Sequence, residues 1–556
     1  MKRLPVAIVG GLLALSTIFA LTQGEPAAPG ALGALGAPSA SPGTGGVAVV
    51  PGAASATPDA PDPDVAAPDG PAPDDPAPAD PTPAPEVDVA LVPVTHFRTT
   101  KTTVDLDDVA ATLAGSSKRF DALELVAGDA DAILAALGLE APADADQLIL
   151  APDAATLAAD LAKHRTRLGF LRAEEISPAV RALAWGKVNL FGTDRVRTLG
   201  DWPIVARLLA APDGAAPFDP GATWTLFAAG DIMLDRGVYE TVRVKGKGVD
   251  FPFDGGTADI TGRTCCSSFG WEVPRTKRTG NAGAVRDLIE GADVAMANFE
   301  NPAPDRFRWH TSGTVFSADP GIIDGLAAAG FDHVGIANNH IGDAGKTGIA
   351  QTIANLTERG LVTSGAGKNE AAARKPAMIE VDGTTVAILA YDRIARYYFA
   401  TSDTSGSAPL SVKRVANDIK KARANGADVV VVFPHWGVEY TANPSAGQQR
   451  TARDIIDAGA DMIIGNHAHW AAALEIYQGK PIWYALGNFV FDQTWSEPTM
   501  EGITLELTFH GDELAQIRMR PHIILDKAQP NFLDPAGDGK VVMDQVFGAS
   551  KGLLPW

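Results

Sequence analysis

Between residues 222 and 528, short apolar runs alternate with longer stretches in which apolar residues recur every three or four positions. The runs fall at 226–229, 294–297, 333–337, 386–390, 429–433, 462–464 and 482–486, and the periodic stretches at 284–290, 322–329, 349–358, 412–424 and 448–458. Runs that stay apolar without alternating predict strands buried on both faces. Their succession with helices predicts an α/β fold whose sheets are covered by helices. Residues 87–217 repeat the pattern on a smaller scale, with a strand at 87–94 and helices at 106–113, 131–137 and 154–161. They predict a small α/β domain, to which the pattern gives no role. Periodicity fades beyond about residue 527, so residues 529–556 are expected to form an irregular tail.

The N-terminal pattern differs. Lys2 and Arg3 precede an apolar run at 4–21, the arrangement of an export signal. Residues 1–24 are therefore expected to be a signal peptide cleaved after Ala20 or a retained membrane anchor, and the protein to be exported, either facing outward on the membrane or secreted. Residues 25–86 hold 16 prolines and nine acids with no Lys, Arg or aromatic residue. Such a stretch cannot bury enough apolar surface to fold and reads as a disordered linker.

Charge sharpens this division. The 556-residue chain has a formal charge of −21; setting aside the nine linker acids and the two N-terminal cations leaves about −14 for residues 87–556. A nucleic-acid binder relying on a broad basic surface is excluded by that balance. Two cysteines among 556 residues exclude a disulfide-built scaffold.

The chemistry follows the apolar runs. Run 226–229 leads into Gly230-Asp231, 294–297 into Asn298-Phe299-Glu300, and 333–337 into Asn338-Asn339-His340. Run 429–433 leads into Pro434-His435-Trp436-Gly437, 462–464 into Gly465-Asn466-His467-Ala468-His469, and 482–486 into Gly487-Asn488-Phe489. Ligands bind at the carboxyl ends of strands in open α/β sheets. Six such ends deliver two carboxylates, several carboxamides and four of the ten histidines to one edge. A lone Gly-Asp is an ordinary turn. His467 and His469 say more, because residues two apart on an extended segment point to one side and can share a metal ion or a pair. Polar side chains placed after buried strands are costly without partners. The conjunction therefore points to a mixed His, carboxylate and amide site for one or two divalent ions, Mn, Fe or Zn.

The ordered series Gly-Asp-Ile-Met-Leu, Asn-Phe-Glu, Ala-Asn-Asn-His with Asp343 and Gly345 after it, His-Trp-Gly-Val-Glu-Tyr, Gly-Asn-His-Ala-His and Leu-Gly-Asn-Phe-Val-Phe-Asp-Gln resembles the CapA family of poly-γ-glutamate capsule biosynthesis proteins, over roughly residues 225–525. That family is similar in fold to the calcineurin-like metallophosphoesterases. The resemblance implies a four-layer α/β/β/α sandwich over residues 222–528 with its site at the strand ends. Carried over residue by residue, it implies metal ligands at Asp231, Glu300, Asn339, His435, His467 and His469, with Glu300 in the place of a bridging aspartate, and a general acid at His340. One departure matters: the phosphoesterase pattern has Asp-x-His at the first strand, and Met233 stands at the His position. One metal position is accordingly expected to be weakened or absent. The resemblance further implies an envelope protein in the synthesis, export or attachment of poly-γ-glutamate or a related anionic polymer, working with capsule-synthesis membrane subunits. It would act as a metal-dependent hydrolase or transferase, or as a non-catalytic polymer-binding subunit. A secreted metal-dependent phosphoesterase is the third alternative.

Asn298, Asn338, Glu439, Asn488 and Asp492 are candidates for partners of the ligands or of substrate, with Glu439 expected to orient an imidazole. Trp436 and Phe489 are expected to be packing walls. The insertion at 261–280 carries Arg263, Arg275, Lys277 and Arg278 against Glu272. It reads as a lid offering positive charge to an anionic substrate or as a solvated loop. Adjacent Cys265 and Cys266 can close a vicinal disulfide in an oxidising compartment, with free thiols or a metal contact as alternatives. His96 and His164 stand alone and carry no functional expectation.

Overall fold

The computed structural model describes residues 85–142, 144–210 and 217–555. The expected export segment, and the expected linker up to residue 84, lie outside the described residues. No helix among the described residues is long and apolar enough to cross a membrane.

The first sheet is built on the strand Glu86–His96, which pairs antiparallel with Leu168–Arg172, Val180–Ala182 and Val205–Leu209. Leu123–Val126 joins it through Leu168–Arg172 and continues to Leu148–Ala151. Alternate residues of the central strand face opposite ways, as a two-residue period requires. Val89 and Leu91 pack with the helices Leu106–Leu113 and Ala130–Leu137, and Ala90, Val92 and Val94 with Ala154–Lys163. The first of these helices starts where its caps place it: Asp105 accepts from the Asp108 N–H at 3.0 Å and the Asp108 carboxylate from the Asp105 N–H at 3.3 Å, a reciprocal cap.

Two larger sheets lie face to face. The ten-stranded one contains Thr223–Ile232, Val294–Phe299, His333–Gly335 and Val362–Ser364 as parallel neighbours. The six-stranded one contains Thr384–Asp392, Val429–His435, Met462–Ile464 and Lys480–Trp483, also parallel. Trp224, Leu226 and Ala228 meet Val429, Val431 and Phe433 between the sheets. Phe227 and Ala229 face outward onto the helices Ala284–Glu290, Ile323–Ala328 and Gly345–Thr357, while Val430 and Val432 face Val412–Ala424 and Ala446–Asp457. Each strand is thus apolar on both sides, which is why its run does not alternate. The architecture is the expected four-layer α/β/β/α sandwich, and its parallel strands end on one edge.

The sequence reading missed two long antiparallel strands, Glu501–His510 and Glu513–Leu525. Ile503, Leu505, Leu507 and Phe509 enter the core between the sheets, but the alternate positions Thr504, Glu506 and Thr508 are buried and polar. The small domain covers that face. Gln516 accepts from the Ala182 N–H at 2.7 Å and donates to the Val180 carbonyl at 3.1 Å, and Thr508 accepts from the Gly192 N–H at 2.9 Å.

Two further expectations are corrected. Residues 529–556 are not an irregular tail: Gln529–Phe532 is a strand of the ten-stranded sheet and Lys540–Ala549 a helix. Val542 and Val546 anchor that helix in the core, too few apolar residues to announce a period. The basic insertion is not a loose loop but a β-hairpin, Thr257–Thr264 with Val273–Gly280. Arg263 forms a paired contact with Glu497 at 2.7 and 2.6 Å, and Arg278 reaches Asp526 at 2.8 Å, so acids of the body neutralise those charges. Cys265 and Cys266 are bonded to each other in the hairpin connection.

Candidate metal centre

Asp231 sits near the end of Thr223–Ile232, where the chain passes so close to Gly487 that a Cβ on Gly230 would stand 1.8 Å from the Gly487 carbonyl oxygen. Glycine is required there by the close approach of two backbones. Gly230→Ala is expected to cost about 3 kcal/mol and to displace Asp231, read together as a lower melting temperature and reduced metal content; an unchanged melting temperature would contradict the packing.

Six of the sequence-predicted groups converge. Asp231, Glu300, His435, His467 and His469 are all at most 4% exposed. Asp231 accepts from Asn298 Nδ2 at 2.7 Å and from the His467 N–H at 3.3 Å, and its Oδ2 lies 3.4 Å from His469 Nδ1. His435 Nε2 lies 2.7 Å from Asn339 Oδ1, 3.1 Å from His467 Nδ1 and 3.4 Å from Glu300 Oε1. One ring nitrogen cannot satisfy three such neighbours with a single proton. Among the described residues, neither carboxylate oxygen of Glu300 has a hydrogen-bond partner, nor has the side-chain oxygen of buried Asn466. Unpaired buried oxygens beside lone-pair nitrogens are a donor set without its acceptor, and a divalent cation supplies one. Ligand atoms of Glu300, His435 and His467 lie within 4.8 Å of one another, and so do those of Asp231, Glu300 and His469. The donors therefore fit two ion positions that share Glu300.

The electrostatics agree. Burial pushes Glu300 well above the usual carboxylate range, and the charges of Asp231 and Glu439 add to the effect. Burial also pushes His435 down to about 3, and burial with His435 as neighbour drives His467 well down. Burial opposes charge on Asp231 and His469 as well, but their mutual contact outweighs it, lowering the aspartate and raising the histidine. Two imidazoles thus favour the neutral form that donates lone pairs, and the metal-free site favours the neutral form of Glu300, the group a cation would deprotonate.

The His-x-His segment works differently from its sequence expectation. It is not extended: His467 and His469 have φ of +92° and +58°, strained values for residues with a Cβ. The turn sends the two rings to different groups, His467 toward His435 and His469 toward Asp231. Asn488 holds His469 Nδ1 at 2.8 Å. Asn338 donates to the Phe299 carbonyl at 2.8 Å and accepts from the His340 N–H at 3.2 Å, fixing the loop that carries the catalytic candidate.

Other assignments change. Glu439 is exposed and hydrogen-bonds none of the four imidazoles; Asp343, Asn298, Asn339 and Asn488 do so. Asp492 pairs with Arg236 and accepts from the Gly237 N–H at 2.9 Å. Arg263 and Arg275 lie on the hairpin, Arg263 committed to Glu497. Met233 is buried in an apolar cluster with Phe316, Phe491 and Ile524, so a hydrophobic wall stands where the phosphoesterase pattern has an imidazole. The Asp231 side keeps three donors, a number that leaves coordination positions open. Trp436 and Phe489 are core residues. Two groups lay unassigned within segments already singled out: Asn466, beside His467, and Asp343, whose Oδ2 is 2.8 Å from His340 Nδ1.

With this geometry in hand, relatives can be compared. The family described as "Bacterial capsule synthesis protein PGA_cap" matches residues 225–493. Capsule biosynthesis protein CapA of Bacillus anthracis is 34% identical over 279 residues, spanning 49% of this chain and 67% of that protein. PGA biosynthesis protein CapA of Bacillus subtilis is 33% identical over 216 residues, spanning 38% of this chain and 57% of that protein. Among solved structures, the calcineurin-like phosphoesterase YfkN of Bacillus subtilis aligns with 60% of this chain and 97% of its own at 14% identity and a TM-score of 0.32. The matched segment contains all six converging groups, and on the extent and identity of the Bacillus anthracis match the chain belongs to the bacterial capsule synthesis protein family.

Proposed function

We propose that this protein acts at the cell envelope in the synthesis, export or attachment of poly-γ-glutamate or a related anionic polymer, by metal-assisted hydrolysis or transfer. The observation that carries the catalytic part is Glu300, a buried carboxylate with both oxygens unpaired between two groups of donors. Asp231, Glu300 and His469 would hold one ion, and Glu300, Asn339, His435 and His467 a second, of Mn, Fe or Zn. Such an ion supplies polarisation of a carbonyl or phosphoryl oxygen and a nucleophile near neutral pH. The polymer assignment draws on the names of the relatives, and export on the N-terminal run; capsule-synthesis membrane subunits are the partners this role requires.

The protein's own residues prepare a proton donor. Asp343 accepts a hydrogen bond from His340 Nδ1 and is itself held by the Phe316 N–H at 2.9 Å and the Tyr398 hydroxyl at 3.1 Å. The Phe316 ring lies 4.1 Å from the imidazole centroid. Ring orientation is thereby fixed, leaving Nε2 to protonate a leaving group. His340→Ala is expected to lower turnover of a γ-glutamyl substrate by about 10²–10⁴ with bound metal unchanged, whereas Asp231→Ala and His435→Ala lose metal as well. Elemental analysis beside steady-state kinetics separates these. A metal-loaded wild type that binds polyglutamate yet turns over no γ-glutamyl bond would replace catalysis with polymer binding.

A further inference from the structure

An anionic polymer needs positive charge at the site, and two of the three hairpin arginines, Arg263 and Arg278, are committed to Glu497 and Asp526. The structure offers another source. In the segment Arg306-Phe307-Arg308-Trp309-His310 the aromatic residues face one way: Phe307 and Trp309 pack on Tyr239 at 4.7 and 5.4 Å between ring centroids, and Trp309 Nε1 donates to the Arg236 carbonyl at 3.0 Å. The alternate residues Arg306, Arg308 and His310 line a cavity of about 570 Å³, a volume suited to a small ligand or one or two units of a chain. Neither arginine has a carboxylate partner among the described residues. The neighbouring Asp305 is occupied by Gln351 at 2.7 Å and Asn355 at 3.2 Å.

The cavity adjoins the proton donor. Phe316 and Asp343 belong to its wall, and these two hold His340. Asp343 forms no ion pair with either arginine; its oxygens accept from His340, Tyr398 and the Phe316 N–H. On the other flank the charge of exposed Glu439 acts on Glu300 and His469, and Glu497 has taken Arg263, leaving Arg275 and Lys277 as the hairpin's remaining positive charges.

We propose that Arg306 and Arg308 form the subsite that binds carboxylates of a γ-linked glutamate chain and lays the chain beside His340. The proposal rests on the polymer reading above and names where the polymer enters. Guanidinium forks match carboxylates in paired hydrogen bonds, and the aromatic anchors hold the forks in place.

The test is calorimetric titration of the full chain, with added Mn(II), using a γ-linked glutamate hexamer, an α-linked hexamer and inorganic phosphate as probes. Arg306→Ala and Arg308→Ala should each weaken γ-hexamer binding about tenfold, and the double variant about a hundredfold, with metal content and melting temperature unchanged. Arg308→Lys should recover part of the loss by keeping charge without the fork. If the wild type binds the γ-hexamer and the double variant binds it equally well, the subsite is wrong while the polymer reading stands. If the wild type binds phosphate and neither hexamer, both fall. Equal loss of γ- and α-hexamer would overturn the assignment to a γ-linked chain.

Discussion

Replacing Glu300 by glutamine is expected to empty the centre of metal while leaving the fold as stable as before. Glu300 belongs to both donor groups, so its loss weakens both ion positions at once. Partner residues one step removed from a metal typically cost 10–100-fold in affinity, and a shared ligand should exceed about 100-fold. The metal-free fold should tolerate the change, because burial and the neighbouring Asp231 and Glu439 already favour the neutral acid, whose shape glutamine shares. Added Mn(II) should therefore raise the wild-type melting temperature through binding to the folded state and leave that of Glu300→Gln unmoved. Elemental analysis of both proteins completes the measurement. Stoichiometric metal in Glu300→Gln would remove the shared-ligand geometry and the catalytic reading with it.

How far such a site can be read from sequence depends on where each residue lies. Asp231, Glu300, His435, His467 and His469 follow strands whose unbroken apolar runs are visible in the chain, so burial on both faces made them easy to find. Asn339 and His340 follow a shorter strand, His333–Gly335, but one buried throughout. What escaped depends on tertiary partners. Glu506, Thr508 and Gln516 look like the wet face of an alternating strand and are dry because another domain covers them. Arg263 looked like free positive charge and is paired with a residue more than two hundred positions away. Arg306 and Arg308 drew no expectation from the sequence; only the packing of Phe307 and Trp309 on Tyr239 gives them a common direction. Glu439 stands four residues after His435, a spacing that would place it beneath the ring on a helix, but the chain there is a turn and carries it to the surface.

The contact between the small domain and the sandwich holds the second large effect. Glu506 is fully buried; it accepts from the Thr193 N–H at 2.8 Å and from Arg520 at 2.9 and 2.6 Å, with Arg518 3.6 Å away. Glu506→Ala leaves the buried Arg518 with Asn189 at 2.9 Å and the exposed Asp194 at 3.7 Å as its remaining partners. Removing one member of a buried ionic group typically costs about 3–5 kcal/mol, because the survivor keeps its desolvation. The variant should melt earlier, and the small domain should become the first target of limited proteolysis. Acid provides an independent check. Burial favours the neutral acid, but Arg520 and Arg518 outweigh it and hold Glu506 at about 2 against an ordinary 4.5. A depressed carboxylate stabilises the fold above its unfolded pKa and ceases to do so as pH falls through the folded one. The wild type should therefore lose on the order of 3 kcal/mol between pH 4.5 and 2 from this group alone, and Glu506→Ala should lack that part of the slope. Equal stability at neutral pH with parallel acid curves would mean that the docking of the small domain does not depend on this ion cluster.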